Sequence, residues 1–225
     1  MYVKDHMTKN PITITPDTTV LKALEIMGRN HFHRLPVTDE KGKLVGLVTE
    51  GLVNESSGKN STSLSVYELN YLLSRTKAED IMIKDVTTAS PDIFLEEAAA
   101  LMIEKSINVL PVIDDDRTVI GIITEKDMFQ AFIELMGYHH QGTKFVIVCE
   151  DKPGVFAKLS GLFAANNANL ESCAVYHNDE RGTEVVIKAT GEISVESMTA
   201  ILKDEGFNVT RVIQTTKEGE TVVYS

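Results

Sequence analysis

Apolar residues recur at helical spacing over Val20, Ala23, Leu24 and Met27, and again over Leu95, Ala98, Ala99 and Met102. The spacing i, i+3, i+4, i+7 puts four side chains on one face of a helix. Short apolar runs flank each of these stretches and predict strands at Ile12–Thr15, Leu35–Thr38 and Leu44–Thr49, then at Val86–Ala89, Val109–Ile113 and Val119–Thr124. Pro-Asp precedes both helices, so Asp17 and Asp92 are expected to cap them. Acidic turns, Asp39–Lys43 and Asp114–Thr118, join the strand pairs. An amphipathic helix from about Glu125 to Met136 closes the second stretch. The first stretch instead runs into Asn54–Ser63, rich in Ser, Asn and Gly, which predicts a loop. Its closing helix is expected at about Ser65–Arg75, with Val66, Leu69, Leu72 and Leu73 as its apolar stripe.

The two stretches are copies. Shifting the chain by 75 residues makes 15 of the 46 pairs from 5 to 50 identical without a gap. Chance at average residue usage gives about 3. Met7 falls on Met82, Pro36 on Pro111, Gly46 on Gly121, and Thr49-Glu50 on Thr124-Glu125. Each copy reads β-α-β-β-α. Such a unit leaves one apolar face open, and two copies can bury those faces against each other.

The pattern changes after Gly137. A polar linker, Tyr138–Thr143, leads to a strand at Lys144–Glu150 and a turn at Asp151–Gly154. A helix follows at Val155–Asn166, with strands at Asn169–Tyr176 and Thr183–Ala189 around a turn at Asn178–Gly182. A second helix runs from about Ser194, a good N-cap, to Glu205, and Gly206 suits the left-handed residue that ends it. Val209–Ile213 is a fourth strand, and Thr221–Tyr224 is a candidate fifth. The order βαββαβ is the ferredoxin-like arrangement.

The chain has 225 residues, 43% of them hydrophobic, and a net charge of −11. Its length suits two domains. The acidic excess, with no Lys/Arg run, argues against nucleic-acid and anionic-membrane binding and leaves room for a small phosphorylated ligand. Cys149 and Cys173 each sit in an apolar run outside any metal-ligand spacing, and read as reduced core cysteines. No signal peptide and no run of 18 apolar residues is visible, so a cytoplasmic location is expected. The pairs His31/His33 and His139/His140 lack further ligands at metal spacing. No GxSxG, HExxH or P-loop pattern suggests catalysis.

The words MTKNPITITPDTTVLKALEIM…HRLPVTD…KLVGLVTE and IMIKDVTTASPD…INVLPVIDDDRTVIGIITEKD resemble a pair of CBS motifs over about 7–136. The resemblance implies an adenine nucleotide (AMP, ADP or ATP) bound as an effector between the motifs, with no cofactor required. In the second copy the ending Gly121-Ile-Ile-Thr124-Glu-Lys-Asp127 matches the family word. By that match Asp127 takes the ribose hydroxyls and Thr124 lies near phosphate. An ionised carboxylate suits a vicinal diol, and free N–H groups at a helix start suit phosphate. Thr-x-x-Asp is also a helix-capping pattern, and the two roles are compatible. The first copy has Leu52 where the acid belongs, so one good site and one weak, empty or different site are expected. His33 and Arg34, in Asn30-His-Phe-His-Arg-Leu-Pro36, resemble a pair that reaches phosphates in AMP-sensing members; as residues alone they also read as a solvated strand end. The adenine pocket is expected to use Val86, Thr87 and Thr88 with Asn108, Val109, Leu110 and Pro111.

The words EDKPGVFAKLSGLFAANNANLESCAVY resemble an ACT domain over about 144–213. The resemblance implies an amino acid or similar metabolite near Asp151, Pro153, Gly154, Val155 and Asn169, at an interface between two such domains. Serine-sensing members carry His at the position of Cys149 and Asn at those of Asp151 and Asn169, and only Asn169 matches. A purely dimerising ACT domain stays open. The order CBS, CBS, ACT resembles the acetoin-utilisation-B-like regulators of bacteria.

The expected fold is α+β: a CBS motif pair of two β-α-β-β-α units, then a ferredoxin-like βαββαβ ACT domain. The expected divisions are 1–78, 79–137, a linker at 138–143, and 144–225. The expected function is a non-catalytic regulatory protein sensing small-molecule effectors as a homodimer, with no metal, nucleic-acid or membrane partner. A constitutive dimerising scaffold and an S-adenosylmethionine binder are the alternatives.

Overall fold

The computed structural model describes residues 1–56, 66–178, 182–192, 194–217 and 219–224. Residues 57–63 of the expected loop and 179–181 of the expected turn lie outside the described residues. The chain divides into two compact units, Met1–Phe129 and Gln130–Ser225. No helix among the described residues is long and apolar enough to cross a membrane.

The first repeat holds α1 (Val3–His6), β1 (Thr8–Lys9), α2 (Val20–Asn30), β2 (Arg34–Thr38), β3 (Leu44–Thr49), α3 (Glu50–Ser56) and α4 (Val66–Arg75). The second holds α5 (Ala78–Ile81), α6 (Leu95–Lys105), β4 (Val109–Ile113), β5 (Val119–Thr124) and α7 (Glu125–Leu135). Val20, Ala23 and Met27 of α2 are buried, as are Leu95, Ala98 and Met102 of α6. Burying each large aliphatic side chain contributes about 1.5–3 kcal/mol. The α2 face packs with Leu35, Val37, Val48 and Val53 into one core.

Several local expectations are corrected. Ile12–Thr15 and Val86–Ala89 are not strands in a ladder. Each makes one parallel bridge, Ile14 with Val37 and Ala89 with Val112. Prolines follow closely, Pro16 and Pro91, and a residue without an N–H cannot extend the pairing. Asp17 and Asp92 do not cap the helices. Thr19 caps α2 by accepting from the Lys22 N–H, and the Glu97 carboxylate accepts from the Phe94 N–H, 2.8 Å away, at the start of α6. Asp92 instead pairs with Lys4 at 2.7 Å. Residues 54–56 belong to α3 rather than to a loop.

The repeats exchange their leading segments. β1 of the first repeat pairs antiparallel with β5 of the second, giving the sheet β1-β5-β4. Ile83, leading the second repeat, bridges Leu47 of β3 in the β2-β3 sheet. The linking hydrogen bonds are related by the same 75-residue shift. The Val3 N–H donates to the Ile93 carbonyl (3.0 Å) and Ala78 to Thr18 (2.8 Å); Leu95 donates to Met1 (3.0 Å) and Val20 to Thr76 (2.9 Å). Met7 lies over Gly121, and Met82 lies over Gly46. A side chain at either glycine would overlap the sulfur of the methionine brought in from the other repeat. Two identities of the repeat therefore explain each other.

The second unit holds β6 (Gly142–Cys149), α8 (Val155–Ala165), β7 (Asn169–Asn178), β8 (Gly182–Thr190), α9 (Val195–Asp204), β9 (Asn208–Thr215) and β10 (Thr221–Tyr224). The sheet order is β10-β9-β6-β8-β7, antiparallel throughout. This is the ferredoxin-like sheet with one strand added at its β9 edge. Ser194 accepts from the Ser197 N–H at 3.3 Å and caps α9, and Gly206 adopts φ 86° just past its end. Phe145 and Phe163 meet edge to face, 5.4 Å apart, in the core under α8 and α9. Cys173 is exposed on the edge strand β7, which corrects its expected place in the core; Cys149 is half-buried, and both thiols are free. Lys188 is 2% exposed. Its ammonium donates to the carbonyls of Gly137 and His140 and so ties the linker to the sheet. Burial and the nearby Lys144 charge push its pKa down.

The exchange yields a first prediction. Gly121→Ala is expected to destabilise the first unit by about 1–3 kcal/mol through overpacking. In a Met7→Ala background the same substitution should cost much less. Urea unfolding of the four members of that cycle measures the coupling.

Candidate functional site

A cavity of about 670 Å³ lies within the first unit. The first repeat lines it with Thr8–Ile12 (without Lys9) and with Asn30–Arg34 and Pro36; the second contributes Asn108, Val109, Ile122 and Thr124–Asp127. Among the described residues its charged lining is Arg34 and Lys126 against Glu125 and Asp127.

Asp127 sits in the first turn of α7. Its Oδ2 accepts from both the N–H and the hydroxyl of Thr124, each at 2.7 Å. The Thr-x-x-Asp word is thus a formed helix cap, and Oδ1 makes no hydrogen bond among the described residues. In the first repeat the same place is filled by Leu52, whose N–H donates to the Thr49 hydroxyl at 3.3 Å. There Thr49 alone serves the helix start.

His33 and Arg34 part company. His33 Nδ1 lies 2.7 Å from Glu50 Oε2, with the imidazole side chain 72% exposed. Arg34 is half-buried and donates to the Asn108 side-chain carbonyl of the second repeat. Burial lowers its pKa, and the Glu125 charge opposes that shift. Asn108 is the equivalent of His33 under the 75-residue shift, so Arg34 reaches into the other repeat to the counterpart of its own neighbour.

Of the expected nucleotide residues, Thr124, Asp127, Asn108, Val109, His33 and Arg34 line one cavity. Val86, Thr87 and Thr88 do not, and Leu110 and Pro111 are buried in the core. The exchange of leading segments is the reason: Pro11 and Ile12, the counterparts of Val86 and Thr87, stand beside Asp127 instead. The 75-residue repeat carries that information once each leader is paired with the other copy. Asn10, Glu125 and Lys126 were also missed.

In the second unit Asp151, Pro153 and Gly154 form an exposed turn. Gly154 takes φ 91° as the N-cap of α8, without a side-chain cap, and nothing lies within 4 Å of where its Cβ would be. Val155 packs against the core. Asn169 is exposed and its amide contacts Glu171 at 3.4 Å. It pairs with Thr190, whereas Cys149, beside the turn, pairs with Thr183. Seven residues of strand separate these registers, about 24 Å. Within one chain, therefore, Asn169 does not meet the Pro-Gly turn. His177 does approach it, 3.9 Å from Asp151 and 3.0 Å from the Thr183 hydroxyl. Burial and Asp151 push the Cys149 thiol up. Among the described residues no group of three or more His, Cys, Asp or Glu could hold a metal.

Two interlocked β-α-β-β-α repeats around such a cavity define a tandem CBS module. The CBS domain profile matches residues 3–52 and 78–134, and the profile of the AHAS small subunit-like ACT domain matches 145–204. The chain belongs to the CBS-domain family, with an ACT-like domain after the pair. An uncharacterized protein of Methanocaldococcus jannaschii is 31% identical over 155 residues, 59% of this chain and 92% of the relative. Inosine-5'-monophosphate dehydrogenase of the same organism is 30% identical over 171 residues, 76% of this chain but 32% of that enzyme. The chain likewise spans less than half the length of several other curated relatives. Among solved structures, AcuB from Vibrio cholerae gives a TM-score of 0.52 at 28% identity, covering 62% of this chain and 95% of that one. CBSX2, an Arabidopsis thaliana protein, in complex with AMP gives 0.51 at 31%, covering 60% and 97%. The CBS domain pair of MJ0100, in complex with 5'-methylthioadenosine and S-adenosyl-L-methionine, gives 0.50 at 31%, covering 59% and 95%.

The cap geometry gives a second prediction. Asp127→Ala is expected to lower the stability of the first unit by about 1 kcal/mol, the usual cost of a lost N-terminal cap. Asp127→Asn keeps a carbonyl acceptor and should cost less than half as much, read from urea midpoints.

Proposed function

We propose that this chain is a non-catalytic, ligand-sensing regulatory protein whose CBS pair binds an adenine nucleotide of the AMP, ADP or ATP class. The observation that carries the reading is the composite cavity. It gathers a carboxylate and a hydroxyl at a helix start, Asp127 and Thr124, with a half-buried guanidinium from the other repeat, Arg34. A carboxylate oxygen suits ribose hydroxyls, and a guanidinium fork suits phosphate. The AMP complex of CBSX2, 31% identical, supports the choice of ligand. Thr124, Asp127, Asn108, Val109, His33 and Arg34 are assigned to this site, and Pro11 and Ile12 take the place first given to Val86 and Thr87. The divisions are 1–78, 79–137, 138–143 and 144–225. The ACT domain takes an amino acid or similar metabolite between two copies, where Asn169 of one meets the Asp151–Gly154 turn of another. The regulator acts as a cytoplasmic homodimer. Coupling between the sites requires that the nucleotide bind two states of that dimer unequally.

A second reading is S-adenosylmethionine. The charges of the cavity, two of each sign, suit a zwitterionic tail, and MJ0100 carries that ligand.

Titration calorimetry with AMP, ADP, ATP and S-adenosylmethionine decides between these readings and a ligand-free scaffold. An adenine nucleotide is expected to bind, and Asp127→Asn to weaken it at least about tenfold, or about 1.4 kcal/mol. Unchanged affinity would leave Asp127 a helix cap alone. If none of the four binds at millimolar concentration, the scaffold stands. Leu52→Asp supplies the missing acid in the first repeat and is expected to add a second binding event; a stoichiometry that stays at one per chain counts against a latent second site.

A further inference from the structure

We infer that Glu125, the first residue of α7, sets the charge preference of the cavity, so that adenine nucleotides with one phosphate are taken over those with two or three. The inference rests on the nucleotide reading above.

Two cations and two anions line the cavity: Arg34 and Lys126, Glu125 and Asp127. Asp127 is committed to the helix start and, in the proposed site, to ribose. Arg34 is the strand-borne cation, and its guanidinium is parked on Asn108. The backbone carbonyl of Asn108 accepts from the Glu125 N–H at 3.3 Å. The backbone of Glu125 is thus tied to the residue that anchors Arg34, its side chain lines the same cavity as the guanidinium, and its charge favours the protonated guanidinium against the larger effect of burial. His33 adds little to the count, because Glu50 holds its imidazole at 2.7 Å.

The repeat makes the arrangement intelligible. Glu50 and Glu125 are equivalent by the 75-residue shift. Each acid opens the helix that follows the last strand of its copy, β3 or β5. Glu50 takes His33. Glu125 shares the cavity lining with Arg34, the base that crossed over.

One phosphate placed at Arg34 and Lys126 meets two positive charges and one opposing carboxylate. A second or third phosphate adds about one negative charge each and finds no further Lys or Arg among the lining residues, while Glu125 repels it. Arg34 is half-buried while Glu125 and Lys126 are exposed, and charges near a protein surface still interact more strongly than in bulk water. Removing the Glu125 charge therefore relieves the polyphosphate more than the monophosphate.

The test is calorimetric titration of the full chain with AMP and with ATP, in EDTA so that no divalent cation masks the phosphates. The wild type is expected to bind AMP at least about tenfold more tightly than ATP. Glu125→Gln should narrow that ratio at least about threefold, chiefly by strengthening ATP binding. Glu125→Ser carries the same expectation should the glutamine variant misfold, as judged by circular dichroism. Glu96→Gln, an exposed acid of α6 outside the cavity lining, controls for the global charge and should leave the ratio alone. Equal or tighter ATP binding by the wild type overturns the inference and leaves the nucleotide site standing. So does an unchanged ratio in Glu125→Gln, or an equal shift in Glu96→Gln. Binding of neither nucleotide overturns the nucleotide reading and this inference together.

Discussion

The first unit depends on one steric fit used twice: a methionine from one repeat lying on a glycine of the other. Met7 covers Gly121 and Met82 covers Gly46. Interiors pack at crystal density, so a side chain on either glycine forces the methionine side chain from the other repeat to move. The crossing segments in turn complete the sheets and start the helices of the opposite repeat, through Val3–Ile93, Ala78–Thr18 and their symmetry mates. Neither repeat is a finished unit. This differs from two complete halves stacked face to face, and it ties the stability of each copy to the other.

The cavity inherits that interlock. Its floor residues at 10–12 come from the first leader, its helix start from the second repeat, and its guanidinium from the first repeat's β2. A ligand there touches both copies at once. The copies are also unequal by chemistry: Asp127 against Leu52, and His33 against Asn108. Duplication supplied the geometry, and divergence of a few side chains put Asp127 and Arg34 on one cavity. The near balance of charge in that lining contrasts with the −11 of the whole chain.

In the second unit the sheet closes one edge and leaves the other open. β10 covers β9, while β7 carries exposed Val175 and Tyr176 along the free side. A row of unpaired backbone groups on an edge strand is a template for pairing. Lys188 shows the opposite economy. A buried ammonium is costly unless its donors are used, and here two linker carbonyls, at Gly137 and His140, use them. Gly142 belongs to the same packing, since a Cβ there would crowd Lys188 and the Ala189 carbonyl.

Much of this was legible in the amino-acid order. The helical spacing of Val20, Ala23 and Met27, the apolar runs at Val109–Ile113 and Val119–Thr124, and the Ser194 and Gly206 punctuation are local signals, and the elements formed where those signals stood. The 75-residue repeat and the words ending in Thr124-Glu-Lys-Asp127 set the family, and with it the search for a composite site. Local order could not say which leader joins which sheet, because both pairings satisfy the same apolar pattern. The crossed pairing leaves Val86–Thr88 outside the cavity that Asp127 lines and brings Pro11 and Ile12 in. Nor could it separate His33 from Arg34, adjacent in the chain, since their partners, Glu50 and Asn108, come from different repeats. The sequence by itself determined the elements, the repeat and the family, because periodicity and turn chemistry act over a few residues. Only the tertiary structure decided which halves share a cavity and where Arg34 finds its partner, because those contacts join residues from different repeats.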